Sequence, residues 1–267
     1  MKIVLWIGNE ANQKALANKI HKQYPISGII LESRKTKTKI TLAKLIEKVI
    51  EKLFLKAIAD AWWGMKRYYN DIYTDYPPTK TIDVENINSQ AAYDFTTAIA
   101  PDLIIVSGTR LLKEKMLSIK PDIGILNLHT GLSPYVKGGP NCTNWCIATK
   151  QYHLIGNTIM WIDLGIDTGN IITTEFTGFE GNETLLDVHQ KVMDHAHQLY
   201  LKAIDLLLKG NHSSVKQKDI AKGTTYYTRQ WGLKEKIKLV WNMKDFRNSI
   251  KSGATENLKK DIVTVPI

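Results

Sequence analysis

Asn127 and His129 stand two positions apart at the start of a dense polar block in the sequence. Positions i and i+2 of a strand point to the same side, so a strand that ends here presents the two side chains together. A histidine exchanges protons near neutral pH, and a preorganised amide can donate a hydrogen bond to a developing oxyanion. The pair could therefore serve acid–base and oxyanion chemistry. A capped strand end with a structural histidine is the simpler explanation of an N-x-H pair taken alone.

The residues that follow extend the polar block. The loop LSPYVKGGP at 132–140 is rich in glycine and proline, which favour turns, and it bends the chain back toward the strand end. The segment DLGIDTG at 163–169 adds two carboxylates, Asp163 and Asp167. This combination of amide, imidazole and carboxylate is more specific than the N-x-H pair alone.

Other catalytic and metal-binding patterns are missing from the sequence. It has no G-x-x-x-x-G-K-S/T loop, no strand followed by G-x-G-x-x-G and no G-x-S-x-G turn, which weighs against triphosphate hydrolysis and dinucleotide redox chemistry. Cys142 and Cys146 have no second pair and provide neither a disulfide framework nor a zinc site. His189, His195 and His197 share one predicted helix without metal-binding spacing, so we predict no metal.

The elements that position the block alternate between strands and helices, the pattern of a parallel sheet with helices on both faces. Strands are predicted over residues 2–7, 27–31, 81–84, 103–107, 123–128, 158–163 and 170–176. Helices are predicted over residues 12–24, 41–69, 89–100, 112–119, 183–209 and near 144–149. The carboxyl ends of parallel strands line the binding crevice, so we expect Asn127 and His129 there. The predicted fold is α/β and Rossmann-like.

The formal net charge of +10 raises the question of a nucleic-acid partner. The charge is unevenly spread, because residues 201–267 hold 14 Lys/Arg against 6 Asp/Glu, whereas residues 71–200 hold 8 against 15. The basic segments thus flank an acidic centre, which is unlike a basic stripe laid over a groove-reading element. Nucleic acid is therefore disfavoured as a partner, and a non-catalytic basic nucleic-acid-binding module stays open as an alternative.

The location in the cell follows from the apolar runs and the cysteines. No apolar run reaches the roughly 18–20 uncharged residues of a membrane span. The opening MKIVLWIGNE is typical of a strand that runs into a polar loop, not of a signal sequence. With only two cysteines, the expectation is a soluble cytoplasmic protein that does not bind a membrane.

The pair Asn127-Leu128-His129, followed by GIDTG at 165–169, is similar to the N-x-H and D-x-G signature of the folate-dependent formyltransferases. Further matches are IVSGTRLL at 105–112, which is similar to the segment that lines the folate pocket, and GNTIM at 156–160. The resemblance covers residues 80–208 well and residues 1–35 loosely. The chain departs from the usual N-x-H-P-S and L-L-P patterns with HTG and LSP, a change expected to reshape the pocket floor without removing a catalytic group.

The resemblance implies transfer of the formyl group of N10-formyltetrahydrofolate to an amine, through a tetrahedral intermediate with an oxyanion. It implies Asn127, His129 and Asp167 as catalytic residues. Asn127 and His129 would donate to the oxyanion, His129 would also exchange protons, and Asp167 would orient the imidazole. We prefer Asp167 to Asp163 because Asp167 precedes Thr168-Gly169 in the matching turn.

The same resemblance implies the residues that hold the two substrates. The expected folate-binding residues are Ser107, Gly108, Thr109, Arg110, Leu111, Leu112 and Asp163. The expected acceptor-binding residues are Gly8, Asn9, Lys137, Asn141, Thr143 and Arg229, with Tyr226, Tyr227 and Trp231 available for base stacking. For each acceptor-binding residue, a solvated face or a hairpin core is an equally open interpretation.

Within the family, the chain is most similar to the nucleotide-sugar N-formyltransferases. Methionyl-tRNA formyltransferases add a larger C-terminal barrel, and ribonucleotide formyltransferases usually lack both the basic tail and the 41–69 helix. The resemblance implies a catalytic domain at residues 1–209, a small basic C-terminal extension at 210–267, a nucleotide-linked amino sugar as the acceptor in surface polysaccharide biosynthesis, and a homodimer. A methionyl-tRNA or ribonucleotide formyltransferase-like enzyme and a formyltetrahydrofolate hydrolase remain alternatives.

Overall fold

A seven-stranded sheet forms the centre of the protein. The structure is a computed structural model, and it describes residues 1–34 and 42–267. In chain order the strands are β1 (Ile3–Gly8), β2 (Ile26–Glu32), β3 (Thr81–Val84), β4 (Leu103–Ser107), β5 (Gly124–His129), β6 (Val136–Gly138), β7 (Gly156–Trp161), β8 (Ile171–Phe176) and β9 (Thr224–Tyr226). The large sheet has the order β3-β2-β1-β4-β5-β7-β8, and β6 and β9 form a separate pair. Strands β3, β2, β1, β4 and β5 run parallel to one another, and β7 pairs antiparallel with both of its neighbours, β5 and β8. The predicted mostly parallel sheet is confirmed.

Helices cover both faces of this sheet, as predicted. They are α1 (Ala11–Gln23), α2 (Leu42–Phe54), α3 (Lys56–Ile72), α4 (Gln90–Ile99), α5 (Glu114–Leu117), α6 (Cys142–Ala148), α7 (Leu185–Leu208), α8 (Leu233–Lys251) and α9 (Ala254–Lys259). Side chains of β1 alternate between two cores, because successive strand residues point to opposite faces. Leu5 belongs to a core shared with Leu199 of α7, and Trp6 to a core shared with Ala92 of α4.

Two parts of the structure differ from the sequence-based expectation. The helix predicted over 41–69 consists of α2 and α3, which meet at Leu55, and Thr41 lies outside the described residues. Leu55 is buried, so the break lets this side chain enter the protein. The basic tail contains α8 and α9, which the sequence analysis did not predict, and α8 buries Leu239 and Phe246.

Residues 210–267 pack closely against the rest of the chain. Strand β9 pairs in parallel with β6, and Val265 lies along the edge of β8, where its carbonyl accepts the backbone N–H of Thr174 at 2.9 Å. The boundary predicted at residue 209 falls just after the end of α7 and stays a prediction. Within residues 1–34 and 42–267, no helix is long and apolar enough to cross a membrane.

Candidate active site

The carboxyl end of β5 carries Asn127 and His129, beside the ends of β4 and β1. In the sheet register Asn127 faces Met160 of β7 and His129 faces Thr158. Both polar side chains reach the same carboxylate. The Nδ2 of Asn127 donates to Oδ1 of Asp167 at 3.4 Å, and Nδ1 of His129 lies 3.3 Å from Oδ2. The structure therefore brings together the three residues that the sequence predicts as catalytic.

Asp167 lies on the loop between β7 and β8, in a left-handed backbone conformation with φ of 50°. Its Oδ2 also accepts the backbone N–H of Gly138 at 2.9 Å, which ties this loop to β6. Gly138 has φ of 87°, and a Cβ atom there would lie 2.0 Å from the carbonyl oxygen of Tyr226. The close approach of β6 and β9 thus requires glycine at 138.

The imidazole of His129 is buried, and both of its ring nitrogens face groups of the protein. Nε2 lies 3.0 Å from the Val136 carbonyl oxygen and 3.5 Å from the sulfur of Cys142. Burial opposes the charged ring, but the Asp167 carboxylate, the Cys142 sulfur and the Val136 carbonyl favour it and raise the pKa of His129 to about 10. At neutral pH the site therefore holds an imidazolium whose N–H groups already have acceptors.

Two clefts open beside this group, here called the narrow cleft and the wide cleft. The narrow cleft has a volume of about 320 Å³ and the wide cleft about 820 Å³. Both are lined by Gly108, Thr109, Asn127, Gly138, Gly139 and Asp167. His129 adds to the lining of the wide cleft. Two ligands, one in each cleft, would therefore meet at Asn127 and Asp167.

The residues predicted to bind folate cluster around the narrow cleft. Its lining includes Gly108, Thr109, Arg110, Leu111, Leu112 and Asp163, whereas Ser107 lines the wide cleft. Asp163 accepts hydrogen bonds from the Gly165 backbone at 3.0 Å and from the Thr168 hydroxyl at 2.5 Å. Asp163 therefore also shapes the turn that carries Asp167.

The residues predicted to bind the acceptor are divided. Gly8, Asn9 and Asn141 line the wide cleft. Thr143 is buried in α6, and Lys137, Thr143 and Arg229 line neither cleft.

Aromatic residues of the extension lie on the side of the narrow cleft. Tyr226 stacks on Trp145 with ring centroids 4.4 Å apart, and Tyr226 and Tyr227 both line the narrow cleft. The Arg229 guanidinium lies 5.3 Å from the ring of Tyr227. The sequence predicts that these aromatic side chains stack on the acceptor, whereas the structure places Tyr226 and Tyr227 beside the residues expected to bind folate.

Glu32 is a cleft residue that the sequence analysis missed. Its buried carboxylate lies 2.9 Å from Nε of Arg34 and 2.7 Å from Nε of Arg110, and it also accepts the backbone N–H groups of Ile87 and Arg110. Burial disfavours the carboxylate, but these backbone hydrogen bonds and the charge of Arg34 lower the pKa of Glu32 below its ordinary value. Arg34 lines the wide cleft and Arg110 the narrow cleft, so Glu32 joins the two walls. The one signal in the sequence was an acidic residue directly after an apolar strand.

Gln217 is the second residue that the sequence analysis missed. Its side-chain amide donates to the backbone carbonyls of Asp167 and Gly169 at 2.7 and 2.8 Å. No pattern in the sequence predicted this long-range contact. As for metals, within the described part of the chain no group of three or more His, Cys, Asp or Glu side chains is placed to hold one.

Comparisons with known proteins show which family and which folds this chain is similar to. The family model described as "Formyl transferase" matches residues 1–204. The methionyl-tRNA formyltransferase of Clostridium tetani is 31% identical over 167 residues, which cover 61% of this chain and 52% of that protein. The enzyme of the same name from Clostridium botulinum is 33% identical over 155 residues, 58% of this chain and 46% of that protein. The chain spans about half the length of these curated relatives.

Solved structures share the fold. An N-formyltransferase from Helicobacter canadensis, in complex with folinic acid and dTDP-3-aminofucose, has a TM-score of 0.56 at 16% identity and covers 90% of this chain and 80% of its own. A 4-N formyltransferase from Francisella tularensis has a TM-score of 0.53 at 21% identity, with 86% and 77% covered. Phosphoribosylglycinamide formyltransferase from Bacillus halodurans has a TM-score of 0.53 at 19% identity, with 79% and 97% covered.

Proposed function

The chain belongs to the formyl transferase family, and we propose that it transfers the formyl group of N10-formyltetrahydrofolate to the amine of a nucleotide-linked amino sugar. The observation that carries the proposal is the junction of the two clefts at Asn127 and Asp167, next to the buried imidazolium of His129. A formyl donor in one cleft and an amine in the other would place the reacting atoms beside all three residues. Proximity of this kind lowers the barrier of a bimolecular reaction.

The narrow cleft has the surfaces that a folate needs. Val106, Leu112 and Met160 supply apolar wall, and Tyr227 supplies an exposed aromatic face. Bound there, N10-formyltetrahydrofolate would supply an activated formyl group. The turn at Asp163 and the segment 108–112 lie on the same cleft and offer backbone groups for the polar edge of the ring.

Asn127 and His129 have different tasks in this reaction. The Nδ2 of Asn127 is available at the junction to donate to the formyl oxygen as negative charge develops there. His129, whose N–H groups are already paired, stabilises the same charge through its own positive charge. The attacking amine must lose one proton, and N10 of the folate must gain one when its bond to the formyl carbon breaks. Because His129 is already protonated, the Asp167 carboxylate is the member of the pair that can take up the first proton, and it can pass a proton on to N10, directly or through water.

The choice of acceptor is supported by the wide cleft. Its size exceeds that of the narrow cleft, and Arg34 supplies a cation at its wall for a phosphate group. Asn9 and Asn141 add polar side chains to the same cleft. The Helicobacter canadensis structure with the same fold holds a dTDP-linked amino sugar, which supports this class of acceptor.

Methionyl-tRNA is the second candidate acceptor. The curated relatives with the 31% and 33% identities carry that activity in their names, and residues 201–267 hold an excess of basic charge. A tRNA acceptor would make binding strongly dependent on salt, because Lys and Arg displace counterions from phosphates.

A panel of amines tests the proposal directly. The purified protein is given N10-formyltetrahydrofolate labelled in the formyl group, together with dTDP-, UDP- and GDP-linked amino sugars, phosphoribosylglycinamide or methionyl-tRNA. We expect the highest kcat/KM with one of the nucleotide-linked amino sugars, and we expect Arg34→Ala to raise the KM for it. Arg67→Ala, at an exposed position of α3, is the matched control. A preference for methionyl-tRNA, or release of labelled formate without transfer, would contradict the proposal.

The homodimer is also part of the proposal. Leu53, Phe54 and Trp63 are exposed on α2 and α3, and exposed apolar groups of this size mark interaction surfaces. Sedimentation of the wild type and of Phe54→Asp tests whether two copies associate through this face. A monomer at all concentrations in the wild type would rule the dimer out.

A further inference from the structure

The backbone of the loop that carries Asp167 accepts hydrogen bonds from Gln217, a residue of the C-terminal extension. The Nε2 of Gln217 donates to the backbone carbonyl oxygen of Asp167 at 2.7 Å and to that of Gly169 at 2.8 Å. The Gln217 side chain is almost fully buried. A single carboxamide therefore bonds to the backbone on both sides of Thr168.

Gln217 reaches this place because the extension is anchored next to it. The backbone N–H and carbonyl groups of Val215 and Ile171 exchange two hydrogen bonds, each of 2.8 Å, at the start of β8. A 3₁₀ turn at Gln217–Asp219 follows at once. The Val215–Ile171 bridge fixes the backbone just before Gln217, so the buried Gln217 side chain reaches the backbone of the Asp167 loop.

The chemistry of this contact admits only one orientation of the amide. Two carbonyl oxygens can accept hydrogen bonds but cannot donate them, so both must face the NH2 group of Gln217. The reversed amide would bring three oxygen atoms together. Within the described residues, Oε1 of Gln217 is buried and has no partner, so its NH2 group alone accounts for the contact.

The loop needs an external hold at this point. Asp167 adopts φ of 50°, a conformation that residues other than glycine rarely adopt and that persists only where surrounding contacts enforce it. The Asp167 side chain contributes to that enforcement through Gly138. Gln217 acts on the Asp167 backbone itself, and it leaves the carboxylate free to face Asn127 and His129.

We propose that Gln217 is a positioning residue, which holds the Asp167 loop so that the Asp167 carboxylate stays paired with His129. The catalytic consequence of this inference rests on the proposed formyl transfer, whereas the structural one does not. Loss of the Gln217 hydrogen bonds would let the Asp167 backbone relax toward φ below zero and carry the carboxylate away from Nδ1 of His129.

The ionisation of His129 reports this movement. The groups that face its ring are the Asp167 carboxylate from the β7–β8 loop, the Cys142 thiol from α6 and the Val136 carbonyl from β6. Burial raises the pKa of the Cys142 thiol, so the thiol stays neutral near pH 7. Asp167 is therefore the charged group that keeps the pKa of His129 high, and its displacement lowers that pKa.

The test is a nuclear magnetic resonance titration of ¹⁵N-histidine-labelled protein, without any substrate, in the wild type and in Gln217→Met. Methionine has a similar volume and no N–H donor. We expect the pKa of His129, assigned with His129→Gln, to fall by at least one unit in Gln217→Met and by less in Gln217→Asn. If Gln217→Met does not fold, the Gln217→Asn variant decides.

Asn242→Leu is the matched control. Asn242 is also a carboxamide of the extension, and its Nδ2 donates to the carbonyls of Ile147 and Ala148 at 3.0 and 3.1 Å, at the far end of α6. We expect this variant to lose a similar amount of stability with no change at His129. An unchanged His129 titration in both Gln217 variants would overturn the inference.

Turnover adds a second readout. With Gln217→Met we expect kcat to fall at least tenfold at pH 8.5 and the alkaline limb of the rate profile to move to lower pH, while both KM values change less than twofold. An unchanged alkaline limb would count against the inference. If the wild type transfers no formyl group to any acceptor but its His129 titration still responds to Gln217→Met, the proposed function fails and the positioning role stands.

Discussion

Oδ2 of Asp167 lies 3.3 Å from Nδ1 of His129, and the imidazole has no other carboxylate partner among the described residues. This contact joins the end of β5 to a loop that the chain reaches only after α6 and β7. It combines a buried cation with an anion that also faces both clefts. The relationship determines what substitutions at either position should do.

Asp167→Asn is expected to reduce kcat by about 100- to 1000-fold, the loss typical of one preorganised electrostatic group. The amide has the same shape but no charge, so His129 loses the partner that keeps it protonated. Steady-state turnover with saturating substrates measures the effect, and circular dichroism checks the fold. Turnover near that of the wild type would remove Asp167 from the catalytic group.

His129 should also make the free energy of unfolding depend on pH. Its pKa is raised from 6.5 to about 10 in the folded protein, so its protonation stabilises the fold fully below pH 6.5, and this stabilisation disappears as the pH rises toward 10. The contribution is on the order of a few kcal/mol. Urea unfolding of the wild type and of His129→Gln between pH 6 and 10 should show a decline that the variant lacks. His212→Gln, at an exposed position, should keep the decline. Parallel curves for the wild type and His129→Gln would contradict the prediction.

Glu32→Gln is expected to lower the free energy of unfolding at pH 7 by about 3 kcal/mol, because removal of one member of a buried ion pair leaves its partners unpaired. Since the pKa of Glu32 is lowered in the folded protein, its stabilisation is present above the ordinary value of 4.5 and is lost as the pH falls through the lower folded value. The difference from the wild type should therefore shrink in acid. Asp205→Asn, which breaks an exposed pair with Lys209, should have no measurable effect.

Tyr227→Ala should raise the KM for N10-formyltetrahydrofolate about 2- to 10-fold, the range expected when one aromatic contact is lost. The KM for the acceptor should stay the same, because Tyr227 lines the narrow cleft and not the wide one. Trp241→Ala is the control, since Trp241 is an exposed aromatic residue of α8 that lines neither cleft. Initial rates at varied folate concentrations provide the measurement. An increase in the acceptor KM instead would move Tyr227 to the acceptor site.

The sequence predicted the central strands well because a strand that is buried on both faces is a nearly continuous run of apolar residues. Strands β1 and β4 lie inside the sheet and are buried along their whole length, and every residue of β4 before Ser107 is apolar, which identifies them without further information. The division of the helix predicted over 41–69 was not visible, because apolar residues keep their helical spacing through Leu55. Whether Leu55 continues a helix or turns inward depends on the surface that receives it.

The part of the site that depends on neighbouring residues in the sequence was predictable, and the part that depends on distant contacts was not. Asn127 and His129 are two positions apart on one strand, so local geometry is enough to bring them together. Glu32 and Gln217 act through partners far along the chain, Arg110 and Asp167. The residue types and sequence positions of Glu32 and Gln217 do not indicate these partners, which only the tertiary structure reveals.

Strand β6 pairs with β9, which lies far later in the chain. The central sheet can therefore form during synthesis before the contacts made by residues 210–267 are in place. A ribosome releases residues in order, and the strands of the central sheet are complete once β8 has emerged. Gln217 and β9 emerge later, so a nascent chain can hold a folded sheet and both members of the N-x-H pair while the Asp167 loop still lacks its support. If Gln217 has the proposed positioning role, the Asp167 loop receives its support only after the segment that contains Gln217 and β9 has been made.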